Sequence, residues 1–90
     1  MLKWRNKMSY DYEKEKQNID NVMLTSITAT AQTLLDTAGS FTFPYVTREI
    51  HGKLWSMIAC VDYLCEIGFI REITNKDILA ERVFVKGVKR

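Results

Sequence analysis

The stretch LWSMIACVDYLCEIGFI, Leu54 to Ile70, is where a helical period gives way to a glycine and then to an alternating one. Met57, Cys60, Val61 and Leu64 recur at steps of three and four, so they share one face of a helix running from Leu54 to about Ile67. Gly68 closes that helix. In the left-handed conformation usual just past a helix end, Gly68 sets Phe69 over Leu64, the apolar contact of a Schellman ending. FIREI then alternates apolar and charged residues as a half-buried strand does. ERVFVKGV alternates again, with Val83 and Val85 opposed to Arg82, Phe84 and Lys86. The polar loop TNKDILA joins the two, and we read them as an antiparallel pair.

Upstream, Asp20 to Ala38 places Met23, Ile27, Ala31, Leu34, Leu35 and Ala38 on one helical face, ended by Gly39. The many threonines lower intrinsic helix propensity, so this element depends on packing its stripe. Phe41 and Phe43 alternate as in a very short strand, and Pro44, the only proline, suits the first turn of a further helix. Val46, Ile50 and Leu54 continue the row of that helix, and Gly52 breaks it. Before Asp20, SYDYEKEKQNI either extends the long helix backwards from Ser9 or Asp11 or forms a separate short helix or arm. Trp4, Tyr10 and Tyr12 give that end enough aromatic surface to pack on its own domain or on a twin chain.

Ninety residues bound the chain to one domain, with a core of three helices and a small sheet. The expected class is mainly α with a small β-sheet (α+β), a charged arm or helical extension over 1–17 preceding a domain over 18–90. The net charge of +2 is too mild to imply nucleic acid, but its distribution is uneven. Residues 1–16 hold five bases against three acids and residues 71–90 six against three, whereas residues 17–70 hold only Arg48 and Lys53 against five acids. Any phosphate contact should come from the ends. No continuous apolar run suits a secretory signal or a membrane span, so the expected location is cytoplasmic, with no membrane partner. Cys60 and Cys65 lie about 140° apart around one helix, a poor geometry for a disulfide, and reduced thiols fit that compartment.

From about Val46 to Val85 the order resembles the winged helix-turn-helix family of bacterial and phage DNA-binding proteins. The resemblance rests on VTREI followed by Gly52, on Val61 and Leu64 placed before Gly68, and on GFIREI followed by a second basic strand. It implies a three-helix core plus a two-stranded antiparallel wing, with the helix at Leu54 entering a major groove and the wing touching the DNA backbone. The implied function is that of a small DNA-binding transcriptional regulator or accessory factor of a bacterium or mobile element, often dimeric. Carried over, Ser56, Ile58, Ala59 and Asp62 face the groove. Phosphates of double-stranded DNA meet Arg71, Lys76, Arg82, Lys86, Lys89 and Arg90.

The residues of that helix depart from the pattern. Base edges are read mainly by Arg, Lys, Asn or Gln, and none occurs between Leu54 and Ile67. The side opposite Met57 and Leu64 presents Trp55, Ala59, Asp62 and Glu66, two acids that a phosphate field repels. A competing expectation is therefore a protein-interaction or dimerisation module in which Trp55, Ile58 and Asp62 meet a protein partner or a twin chain. If the helix phase is shifted by one residue, Trp55 and Ile58 belong to the core instead. His51 reads as a helix C-terminal capping residue. No catalytic residues, no metal site and no cofactor are expected. His51, Cys60 and Cys65 are too few, and wrongly spaced, for a structural zinc. The glycines sit at element ends and cradle no phosphate.

Overall fold

A computed structural model describes residues 10–73 and 78–87. The N-terminal segment contains a one-turn helix α1 (Tyr12–Glu15) and a 3-10 turn (Lys16–Asn18). The long helix α2 (Asn21–Ala38) leads to strand β1 (Ser40–Thr42), the short helix α3 (Phe43–Val46) and then α4 (Leu54–Glu66). Strand β2 (Ile70–Glu72), a 3-10 turn (Leu79–Glu81) and strand β3 (Val83–Lys86) complete the order, an α+β arrangement with one antiparallel sheet.

Local chemistry sets the boundaries of α2. The Asp20 side chain accepts a hydrogen bond from the Val22 amide at 2.9 Å, satisfying a free donor of the first turn. Met23, Ile27 and Ala31 are its buried stripe, at strict i,i+4 spacing. Thr28 and Thr37 return their hydroxyls to the carbonyls of Leu24 and Thr33, at 2.7 and 2.9 Å, so these two low-propensity residues satisfy their hydroxyls within the helix. Gly39 ends the helix in the left-handed region, its amide donating to the Leu35 carbonyl.

At the end of α4 the Schellman geometry is complete. Gly68 has φ +82°, its amide donates to the Cys65 carbonyl at 3.1 Å, and the Phe69 amide donates to the Leu64 carbonyl at 3.0 Å. The turn delivers the chain directly into β2. Gly87 lies against the same turn: its amide donates to the Phe69 carbonyl at 3.0 Å, and a Cβ there would collide with the Gly68 carbonyl. The end of β3 and the end of α4 thus fit only because position 87 has no side chain.

Two expectations change in detail. The sheet has three strands in the order β1-β3-β2, so the Phe41 strand joins the ribbon and β3 is central. Phe41 pairs with Phe84 in register, their rings stacked at 5.4 Å, a contact worth about 0.5–1.5 kcal/mol beyond the area buried. Phe84 is consequently a core residue, while Val83 and Val85 lie on the half-exposed outer face. A period of two fixes alternation but not which side is buried. The helix begun near Pro44 is also shorter than its apolar row suggests. It closes at Thr47, whose amide and hydroxyl both bond the Phe43 carbonyl, and a turn follows. His51 therefore lies beyond the helix, exposed in the connector with Gly52, and the C-cap position it was expected to serve is taken by Thr47.

The core sits between α2, α4 and the inner face of the sheet, where Ile27, Val46, Ile58, Val61, Ile70 and Phe84 are buried. Tyr10 belongs to the same cluster at 4% exposure, so the described part of the N-terminal segment is packed as part of the domain.

Candidate functional site

The helix α4 decides what this molecule can present, because its outward side is where a groove or a partner would be met. That side is occupied by the chain's own N-terminal segment. The Tyr10 hydroxyl donates to Asp62 Oδ2 at 3.0 Å, and its ring lies edge-on to Trp55 with centroids 6.4 Å apart. One turn further along α4, the Tyr12 hydroxyl donates to Glu66 Oε1 at 2.6 Å, and Lys16 Nζ reaches both Glu66 oxygens at 3.1 and 3.2 Å. Asp62 and Glu66 stand i,i+4, so two tyrosines two residues apart meet two carboxylates on one helix face. Asp11 caps this segment by accepting from the Glu13 amide, which fixes Tyr12 for its contact.

From the opposite side, the sheet completes the arrangement. Arg82 precedes β3 on the inward register shared with Phe84, and its Nη2 donates to Asp62 Oδ1 at 2.8 Å and to Glu72 Oε1 at 2.9 Å. The guanidinium is only 1% exposed and lies 5.1 Å from the centre of the Phe84 ring. Burial alone would lower the guanidinium's pKa, but the hydrogen bonds and charges of Glu72 and Asp62 outweigh it, so the group is held charged. Asp62 therefore links the N-terminal segment through Tyr10 to the sheet through Arg82. At the exposed end, hydrogen bonds from Tyr12 and Lys16 lower the pKa of Glu66. Tyr12 is raised well above its ordinary value, first by burial and then by its bond to Glu66.

These positions correct several expectations. Arg82 is buried in an internal ion pair and offers nothing to a phosphate. Ile58 and Asp62 were expected on the outward interface but are buried, at 0% and 5% exposure, and Ala59 is buried with them. Periodicity located one buried stripe of α4; it could not show that Tyr10 and Tyr12 cover a second. Trp55 remains 36% exposed at the open end of the helix, and Ser56 is half-buried. Of the remaining basic positions, Arg71 and Lys86 are exposed, while Lys76, Lys89 and Arg90 lie outside the described residues. Arg71 pairs across with Val85 and Lys86 with Ile70, so their side chains leave opposite faces of the sheet.

Along α4, Leu54, Trp55 and Glu66 stay exposed, as does Ile67 at its C-terminal end, while Ala59 and Cys60 between them are fully buried. Ser56, Tyr63 and Ile67 fall within about 40° of one another around the axis and are half-buried or exposed. Ile67 also lines a groove of about 340 Å³, together with Gln32, Leu35, Phe69 and Lys86 and the glycines at 68 and 87.

Cys60 and Cys65 are free thiols, and burial, with a smaller effect of the Asp20 charge, pushes the Cys60 thiol up to about 11. Among the described residues no three His, Cys, Asp or Glu side chains gather as a metal site, and no helix is long and apolar enough to cross a membrane. Comparison with family models, with curated proteins and with solved structures returned no match.

Proposed function

We propose that this chain is a non-enzymatic protein-interaction domain built on a winged-helix-like frame, in which α4 is an internal support rather than a reader of DNA. The observation that carries the reading is the closure of the outer side of α4 by Tyr10, Tyr12 and Lys16. A helix that reads bases must bring side chains to the groove floor. Here the residues at those positions, Ile58, Ala59 and Asp62, are buried within the chain's own packing. Of the proposed wing contacts, Arg82 is internal, and Arg71 and Lys86 point to opposite faces, so the described bases form no single phosphate-binding surface. Large apolar side chains are instead exposed, among them Trp55, Leu54, Tyr45 and Ile67, as at surfaces that meet other proteins. A reducing, cytoplasmic location fits the two free thiols.

Duplex DNA is the second reading, favoured by the open first turn of α4, where Lys53 is exposed and Arg48 lies exposed in the preceding turn. Titration of fluorescently labelled duplexes of mixed sequence at about 50 mM salt separates the two, because phosphate contacts are strongest there. The expected result is no saturable binding. Saturable binding that falls steeply with salt and is weakened in Arg48→Ala/Lys53→Ala would overturn the protein-interaction reading.

A further inference from the structure

Arg82, Phe84 and Lys86 share the inward register of β3, but the fold provides for only two of them. Phe84 is buried and Arg82 is paired with two carboxylates, whereas Lys86 is exposed. Lys86 faces Ile70 across the β2–β3 pair, so both side chains leave the same face of the sheet, and Ile70 is buried. A lysine on the core side of the central strand thus stands where the core opens. The stripe of α2 reaches the same opening: Leu35 continues the row Met23, Ile27, Ala31 by one more step of four, yet it is only half-buried. Leu35, Ile67, Phe69 and Lys86 line one groove of about 340 Å³, within the range of small-molecule sites (~300–1,000 Å³). Among the described residues no carboxylate lines it, and Asp36, which accepts from Gln32 Nε2 at 2.9 Å, stays outside the lining.

We propose that this groove binds a small amphiphilic monoanion, a free medium-chain carboxylate, with its carbon chain over Leu35, Phe69 and Ile67 and its carboxylate at Lys86. Charge selects the head group. A cationic head would be repelled by Lys86, and a polyanion would find no second cation in the lining. The apolar side chains select the tail, because each methylene taken out of water tightens binding by up to about fourfold. Gly68 and Gly87 complete the wall with backbone alone. A volume near the bottom of the small-molecule range suits one free chain rather than a two-chain lipid held in a membrane. The site lies apart from the closure of α4 and stands whether or not the protein-interaction reading does.

Titration of the isotope-labelled full chain with hexanoate, octanoate and decanoate at neutral pH, followed by amide chemical shifts, tests this. The shifts should saturate and centre on Leu35, Ile67, Phe69 and Lys86, and affinity should rise with chain length. Octanol should bind more weakly than octanoate, and octylammonium should not bind. Lys86→Gln should weaken octanoate by about two- to fivefold, the worth of an exposed ion pair, and leave octanol unchanged. Ile67→Ser should weaken both alike. Lys86 and Ile67 are exposed, so both variants should keep the parent's melting temperature. Shifts that never saturate or that spread over the whole surface overturn the proposal. So does octylammonium binding as well as octanoate, or a preference for octanoate over octanol that survives Lys86→Gln. Translational diffusion of the same samples reveals another occupant: a ligand-free dimer whose groove amides ignore octanoate would seat a second copy there and overturn the proposal too.

Discussion

Asp62 on α4 and Arg82 before β3 form a buried ion pair at 2.8 Å, and the same carboxylate accepts the Tyr10 hydroxyl. Breaking such a pair from one side leaves an uncompensated charge in the interior, at a cost of about 3–5 kcal/mol. Asp62→Ala should therefore lose that much stability in urea unfolding, a large part of what a domain of this size has. Arg71→Ala, on the exposed outer face of the sheet, should stay within about 0.5 kcal/mol of the parent. Equal effects for the two variants would show that Arg82 is not internally paired.

Tyr10→Phe keeps the ring against Trp55 and removes only the donor to Asp62. A hydrogen bond to a charged group contributes about 1.5–3 kcal/mol, so chemical denaturation should show a loss in that range. An unchanged midpoint would place the Tyr10 hydroxyl in solvent.

The N-terminal segment should loosen at both ends of the pH scale. Glu66 has a pKa below its ordinary 4.5, so its contribution is present above the unfolded value and is lost as pH falls through the folded one. Tyr12 is shifted the other way, above 10.0, so its contribution is full below that value and is lost as pH rises. Amide exchange of residues 12–18, corrected for intrinsic rates, should speed up in acid below pH 4.5 and again in alkali above pH 10.0, with a protected plateau between. Flat protection across both limits would remove Glu66 and Tyr12 from the closure.

Position 87 should tolerate no side chain. Gly87→Ala drives a Cβ into the Gly68 carbonyl and Ile70 amide, backbone that cannot yield without moving the end of α4 or β2. Gly68→Ala meets a milder obstacle, the left-handed φ of +82°, worth about 1 kcal/mol. Thermal melts should rank the parent above Gly68→Ala and Gly68→Ala above Gly87→Ala. The reverse order would contradict the close approach of the two chain segments.

Cys60 should react slowly. With its thiol pushed up to about 11 by burial, little thiolate exists near neutrality, and thiolate is the nucleophile. Mass spectrometry after brief iodoacetamide treatment at pH 8 should find Cys60 largely unmodified in the folded chain and modified after denaturation. Rapid labelling of the folded chain would place Cys60 outside the core.

Much of this fold is legible in the sequence because its punctuation is local. Asp20, Gly39 and Gly68 mark helix ends through backbone chemistry confined to a few residues, and the alternation in FIREI and ERVFVKGV is intrinsic to strands. The short α3 is less legible, since the apolar row Val46, Ile50, Leu54 runs on past the point where Thr47 closes the helix. The candidate site is least legible of all. Tyr10 and Tyr12 signal through aromatic content that they pack somewhere, but their partners Asp62 and Glu66 lie more than fifty residues away. An arginine in an alternating basic strand reads as solvated until two carboxylates from other elements are found around it. Arg82 and Asp62 are thus ion-paired in the interior, at positions that sequence alone places on the surface.

The measurement that tests the sealing of α4 most directly is a double-mutant cycle between Tyr10→Phe and Asp62→Ala, read by urea unfolding. If Tyr10 lies on Asp62, the two single losses added together should exceed the loss in the double variant by about 1 kcal/mol or more, since either change alone already breaks the shared bond. Additivity within about 0.5 kcal/mol would mean the two residues do not touch. The outer side of α4 would then be open to DNA or any other partner.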